Sequence, residues 1–193
     1  MNKRIFALTI GILVLFTWQC TRDSQTSVQS PDGQTEVEFV LNPKGQPAYR
    51  VIHKDAVVID TSLLGFDFND APSIKEGWRL VETTTSQQKD TWEMPWGEQK
   101  EVVNHYNQIT ISLKEQDAPS RKLDLVFRAY DDGVGFRYIF PEQDNLQEVF
   151  ITDENTQFNL TGDHKTWWIP GDWHIYEHLY NTTKFSEIDA ISK

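Results

Sequence analysis

Cysteine is almost absent from this chain: Cys20 is the only one among 193 residues. It sits directly behind an N-terminal leader, so no disulfide can hold the rest together even in an oxidising compartment. Basic residues are scarce as well. There are 18 Lys and Arg against 29 Asp and Glu, and without Lys3 and Arg4 of the leader 16 remain, a net charge of about −13. Such a surface repels nucleic acid and anionic lipid, and it leaves cations and neutral ligands such as glycans as compatible partners. No stretch of twelve or more residues carries an apolar stripe of helical period, and nothing repeats at a fixed interval. A Gly-rich phosphate loop, a Gly-x-Ser-x-Gly elbow and a Cys-x-x-Cys pair are also missing, which argues against the chemistries built on them.

Long hydrophobic runs are confined to the start. Lys3 and Arg4 precede an uncharged apolar core, Ile5 to Trp18, too short for an ordinary membrane span and followed at once by polar sequence. Residues 1–20 therefore read as an export signal. The position of Cys20 points to lipoprotein processing, with Cys20 as the acylated N-terminus. Thr17-Trp18-Gln19 is a poor match to the small residues such a site takes, so plain cleavage nearby stands as the alternative. Contact with a membrane is expected only through this signal or lipid anchor. Residues 21–29 are polar and read as a flexible tether. Roughly 170 residues then remain, enough for one domain with a sizeable core.

What is abundant is strand signal. Ser30-Pro31-Asp32-Gly33 is a turn leading into Glu36–Leu41, and Asn42-Pro43-Lys44-Gly45 is a second turn before Ala48–Ile52, which together predict a hairpin. Ala56–Ile59 and Leu63–Phe68 continue the pattern. Asn107–Leu113 alternates, with Ile109, Ile111 and Leu113 on one face. Leu123, Leu125, Phe127 and Ala129 share a face of the next run, which Asp131-Asp132-Gly133 turns back into Val134–Phe140, with Gly133 expected at positive φ. Short strands separated by turns predict an all-β fold, an antiparallel sandwich.

Chemistry concentrates in the last aromatic run, Trp167-Trp168-Ile169-Pro170-Gly171-Asp172-Trp173-His174-Ile175-Tyr176-Glu177-His178. Flat rings cover the apolar faces of pyranoses, and carboxylates bind hydroxyls or cations, so the composition suits a sugar site. The same letters spell His-x-x-Glu-His, the motif of inverted zinc peptidases, which requires both histidines on one face of a helix. The Pro-Gly turn and bulky neighbours are the wrong context for it. Glu177 can be a calcium ligand, because hard cations take oxygen donors, or an ordinary surface acid, and spacing alone favours the latter. Among Trp92, Trp96, Trp167, Trp168 and Trp173, most are expected in the core, with Trp173 the one facing a site. Asn104-His105-Tyr106-Asn107 is either a polar cluster lining a pocket or a set of strand-start residues satisfying loop backbone. His53 and His164 read as surface residues. Asp131 and Asp132 read as turn formers, since a glycosidase pair must flank a bond across a cleft.

Three blocks in order, Trp96-Gly97-Glu98 with Asn104-His105-Tyr106-Asn107, then Phe127 to Tyr138, then Gly162-Asp163-His164 with Trp168-Ile169-Pro170-Gly171-Asp172, resemble glycoside hydrolase family 97 from about residue 27 onward. The resemblance implies an exo-acting α-glucosidase or α-galactosidase with an N-terminal β-super-sandwich of galactose-mutarotase-like type, a central (β/α)8 barrel and a small C-terminal β-domain. It implies that the catalytic carboxylates, and most calcium ligands of the calcium-dependent branch, lie in the barrel. One calcium ligand comes from the loop after the Trp-Ile-Pro-Gly-Asp motif, a role that falls on Glu177, with Trp173 and Tyr176 shaping the cleft for an α-linked oligosaccharide. On this reading residues 30–193 are a sandwich incomplete at its C-terminus, and the barrel, its partner in the same polypeptide, is absent from the chain. With the leader, the resemblance implies an exported protein, periplasmic or anchored to the outer membrane of a Gram-negative bacterium. The alternative is a non-catalytic glycan-binding or scaffolding lipoprotein.

Overall fold

The computed structural model describes residues 26–191, so the leader and Cys20 lie outside the described residues. The fold is all-β and antiparallel, as the alternation predicts. Strands β1 (Ser27–Gln29), β2 (Thr35–Leu41), β3 (Pro47–His53) and β4 (Ala56–Leu63) form one sheet, with the short β11 (Asn159–Leu160) beside β4. Strands β6 (Trp78–Glu93), β7 (Glu101–Glu115), β8 (Lys122–Tyr130) and β9 (Gly133–Ile139) form the second. Two small ladders complete the structure: β5 (Phe66–Phe68) with β10 (Ile151–Glu154), and β12 (Lys165–Trp168) with β13 (Asn181–Lys184). The described residues contain no α-helix, only a 3-10 turn at Phe185–Glu187.

The two large sheets share one core. Val37 and Phe39 of β2 and Tyr49 and Val51 of β3 face Ile109, Ile111 and Leu113 of β7 and Leu123, Leu125, Phe127 and Ala129 of β8, all buried. Full burial of one such leucine or phenylalanine is worth about 1.5–3 kcal/mol. A one-residue slip of β8 would turn its whole apolar face outward, so the register is held by the core itself. Rings bridge the layers, with Tyr49 lying 6.0 Å from Phe127 and 5.3 Å from Phe136. The Tyr49 hydroxyl donates to the Gln157 carbonyl at 2.9 Å, so a buried polar group is satisfied.

Several expectations need correction. Ser27–Gln29 is a strand rather than tether: it pairs with β2 and buries Val28. Gly133 does not supply a left-handed residue, because Tyr130 and Gly133 already pair in the β8–β9 ladder and Asp131-Asp132 closes the turn without positive φ. Asp131 is used as an anchor, accepting the Asp32 amide at 2.9 Å. His53 is half-buried and shares a 3.0 Å hydrogen bond with Thr35, whereas His164 is exposed as expected. Asn104–Asn107 lies within β7, not at its start; Asn107 does satisfy backbone, donating to the Gln29 carbonyl at 2.8 Å, and Tyr106 packs under the Arg128 guanidinium at 4.2 Å.

The tryptophans differ most from expectation. Trp92, Trp96 and Trp167 are exposed and Trp168 is half-buried; among the described tryptophans the buried one is Trp78. The cause is topological. β8 pairs β7 only from Tyr106 to Lys114, so among the described residues the far ends of β6 and β7 form an uncovered two-stranded ribbon, which leaves Trp92 and Trp96 outside the core.

The β5 end of the sandwich is tied electrostatically. The Asp67 carboxylate accepts from Lys75 Nζ at 3.0 Å, Ser73 Oγ at 2.6 Å and Asn155 Nδ2 at 2.9 Å. Lys75 first, then Ser73 and Asn155, hold its pKa down to about 2. A carboxyl whose folded pKa lies below its unfolded value contributes stability above the unfolded pKa and loses it as pH falls through the folded one. The Asp67 contribution is therefore complete above about pH 4 and fades toward pH 2. Asp67→Asn is expected to flatten the melting temperature against pH over that window; an unchanged acid limb would reject this role.

Candidate functional site

Strands β12 and β13 pair in register from Lys165↔Lys184 to Trp168↔Asn181. The Trp168 indole donates to Thr183 Oγ1 at 3.0 Å, fixing the base of the hairpin. Asp163 braces the turn that follows β13, accepting the Ser186 amide at 2.8 Å and hydroxyl at 2.9 Å, and these bonds hold its carboxyl below the usual range. Pro170 cannot donate to a ladder and Gly171 follows it, so the strand stops there and residues 169–180 form an irregular connection. The Gly171 amide donates to the Ala190 carbonyl at 2.6 Å.

All three residues singled out for substrate and metal lie on this connection and all face solvent. Trp173 is 100% exposed, Tyr176 79%, and Glu177 is exposed between them and Leu179. Among the described residues the Glu177 carboxylate has no hydrogen-bond or ion-pair partner, so its oxygens are available as donors to a cation. Trp167, Ile175, Tyr180 and Phe185 add exposed apolar area to the same hairpin. Contiguous exposed apolar area of this kind is a recurring feature of ligand and protein contact surfaces.

Two side chains on the connection turn inward. Asp172 Oδ1 accepts the His174 amide at 2.9 Å, and Asp172 Oδ2 lies 3.5 Å from His178 Nε2. Spacing gave no warning of the Asp172–His178 approach. The only sequence signal was an Asp two residues before an amide, the pattern of an Asx turn. His174 to His178 is not helical, and among the described residues no three metal-ligating side chains cluster. The helix required by the zinc-peptidase motif is absent, and that reading is dropped.

A concavity of about 580 Å³ opens between the sheets, away from this connection. Its walls are Tyr49, Val51, Ile59, Val134, Phe136 and Phe158, and Thr35, His53, Asp131 and Asp132 stand among its lining residues. None of the expected site residues reaches it.

Comparison with known proteins agrees with this architecture. Residues 28–193 match the model of the glycosyl-hydrolase 97 N-terminal domain. A glycoside hydrolase family 97 enzyme from Pseudoalteromonas sp. strain K8, solved in complex with panose and with acarbose, superimposes with a TM-score of 0.75 at 34% identity, over 81% of this chain and 24% of that one. A β-arabinopyranosidase shares the fold, with a TM-score of 0.68 at 22% identity over 80% of this chain and 26% of its own. The retaining alpha-galactosidase of Bacteroides thetaiotaomicron (strain VPI-5482) is 23% identical over 139 residues, 72% of this chain and 19% of that protein. The chain thus spans about a quarter of these relatives or less. With nearly all of the described sandwich inside the matched region, the chain belongs to glycoside hydrolase family 97, as part of its N-terminal domain.

Proposed function

We propose that the chain is the N-terminal sandwich part of an exported, exo-acting α-glycoside hydrolase, an α-glucosidase or α-galactosidase, whose (β/α)8 barrel belongs to the same polypeptide. The observation that carries this reading is the match of residues 28–193 to the glycosyl-hydrolase 97 N-terminal domain, and the exposed Glu177 beside Trp173 and Tyr176 is consistent with a role at a shared site. One carboxylate cannot satisfy a cation that takes six to eight oxygens, so Glu177 would supply one calcium ligand and the barrel the rest. Bound there, calcium would orient the sugar and offset charge. Trp173 and Tyr176 would form one wall of the cleft, excluding water from an α-linked oligosaccharide, while barrel carboxylates serve as acid and base or nucleophile.

Among the described residues β9 pairs with β8 alone, and the apolar cleft lies beside it. An open edge next to uncovered apolar surface supports further strands of the same polypeptide packing there. Export, with Cys20 as lipid anchor or cleavage at the leader alone, completes the proposal. The chain without the barrel is expected to be inactive.

Glu177→Gln in the full-length polypeptide is expected to weaken calcium binding and kcat/KM together, each by about tenfold or more. Calcium titration by calorimetry and turnover of α-glucosides and α-galactosides check it. Wild-type calcium affinity and turnover in that variant would reject the assignment. The exposed rings also suit a glycan-binding lipoprotein without catalysis. Oligosaccharide binding by residues 21–193 alone, with no hydrolysis from the full-length polypeptide, would favour that reading instead.

A further inference from the structure

Residues 169–180 join β12 to β13 without regular structure, and Trp173, Ile175, Tyr176, Leu179 and Tyr180 project into solvent. Those side chains bring little packing energy, so something else must hold the connection in one shape. Its feet are held by the Trp168↔Asn181 pair and by the Gly171 amide on the Ala190 carbonyl. Between them every residue from Trp173 to Glu177 is exposed, while the residues on either side, Asp172 and His178, are only partly so, with side-chain exposures of 14% and 29%.

We infer that Asp172 is a positioning residue for this segment: its two carboxylate oxygens draw the His174 amide and the His178 ring together and so turn Trp173, Tyr176 and Glu177 outward as a set. Oδ1 accepts the His174 amide at 2.9 Å, closing an Asx turn that starts the arch. Oδ2 stands 3.5 Å from His178 Nε2, a buried atom with no hydrogen-bond partner of its own. With the ring proton on Nε2, a shift of a few tenths of an ångström lets the imidazole donate to this oxygen. Because Glu177 precedes His178 in the chain, holding the ring also holds the backbone that carries the carboxylate. The Gly171 amide bond to Ala190 places Asp172 at the arch from the other side. A carboxylate that meets its cation ready-placed avoids the cost of ordering a loop at the moment of binding.

The functional part of this inference rests on Glu177 as a calcium ligand; the structural part does not. The test uses the full-length polypeptide and reads amide hydrogen exchange over residues 171–180 together with calcium affinity. Asp172→Ala is expected to speed exchange at 173–178 about tenfold, the loss of a hydrogen-bonded tie, and to weaken calcium by a similar factor. Asp172→Asn, which keeps the Oδ1 acceptor, should recover much of both. Exchange in β8 reports whether the sandwich survives. If Asp172→Ala unfolds it, His178→Ala, which cuts only the second tie, is expected to loosen the same segment by a smaller factor. Wild-type exchange at 173–178 in Asp172→Ala, or in His178→Ala where that variant carries the test, would overturn the inference. So would a loosened segment with undiminished calcium affinity where Glu177→Gln does lower it. If Glu177→Gln leaves calcium unaffected while Asp172→Ala loosens the segment, the positioning of the arch stands and the calcium reading falls.

Discussion

Replacing Arg121 with alanine is expected to remove about 3–5 kcal/mol of unfolding free energy, several times what an exposed ion pair contributes. Arg121 stands just before β8, and Glu115 ends β7; both are buried, at 1% and 9% exposure. The guanidinium meets the carboxylate as a fork, Nε donating to Oε2 at 2.9 Å and Nη2 to Oε1 at 2.5 Å. Two further N–H groups go to the Pro72 carbonyl at 2.7 Å and the Ser73 carbonyl at 3.2 Å, and the Arg121 amide adds a 2.8 Å bond to Glu115. One side chain thus closes the β7–β8 turn and fastens the segment between β5 and β6 to it. Truncation leaves a buried carboxylate without its counter-charge and two carbonyls without donors, and that desolvation sets the size of the loss. Converting the pair to Arg121→Met with Glu115→Leu should recover about half or more, because no charge then remains buried. Urea unfolding followed by tryptophan fluorescence measures both variants. A loss under about 1 kcal/mol for Arg121→Ala would mean the pair behaves as a surface contact.

The parts of the fold that were legible in the sequence are those with one face on the core. Ile109, Ile111 and Leu113, and Leu123, Leu125, Phe127 and Ala129, alternate because every second side chain meets the opposite sheet, and the structure buries all of them. Asn42-Pro43-Lys44-Gly45 announced the β2–β3 hairpin through turn chemistry. β6 was missed for the complementary reason. Beyond its first residues both faces of Trp78–Glu93 are largely exposed, so no period is imposed on its sequence. Ser27–Gln29 was missed because a single buried residue, Val28, is enough to dock so short a strand. The tryptophans misled because ring chemistry suits a core and a ligand platform equally, and only topology tells which side is covered. At the candidate site, periodicity carried nothing. Glu177 stood out through family resemblance alone, and the Asp172–His178 approach lies in an irregular segment where spacing has no fixed geometric meaning.

Gly45→Ala is expected to cost about 3 kcal/mol or more, against about 1 kcal/mol for Gly33→Ala, although both glycines occupy left-handed turns. Their backbones are alike, with φ of 69° and 73°. Their surroundings are not. A Cβ on Gly33 meets nothing within 4 Å, so alanine there suffers only the left-handed penalty. A Cβ on Gly45 falls 2.6 Å from both the amide nitrogen and the carbonyl oxygen of Trp78, a contact with backbone that no rotamer change relieves. The approach is close because the turn is bonded to the start of β6: the Trp78 amide donates to the Gly45 carbonyl at 3.0 Å, and the Gly77 amide to the Lys44 carbonyl at 3.0 Å. Asn42 shapes the same turn, its Oδ1 accepting the Lys44 and Gln46 amides at 2.9 and 3.0 Å. Trp78 in turn fills the core at 1% exposure, and its carbonyl accepts from Gln116 at 3.1 Å. Moving the turn to admit a methyl group therefore breaks bonds between the two sheets and shifts the largest buried side chain. Paired unfolding curves of the two variants separate the effects, since the left-handed penalty is common to both and the difference reports the packing of the turn on Trp78. Equal losses would show that the turn can move away from β6 freely, and that the sheets are joined at this end by side-chain burial alone.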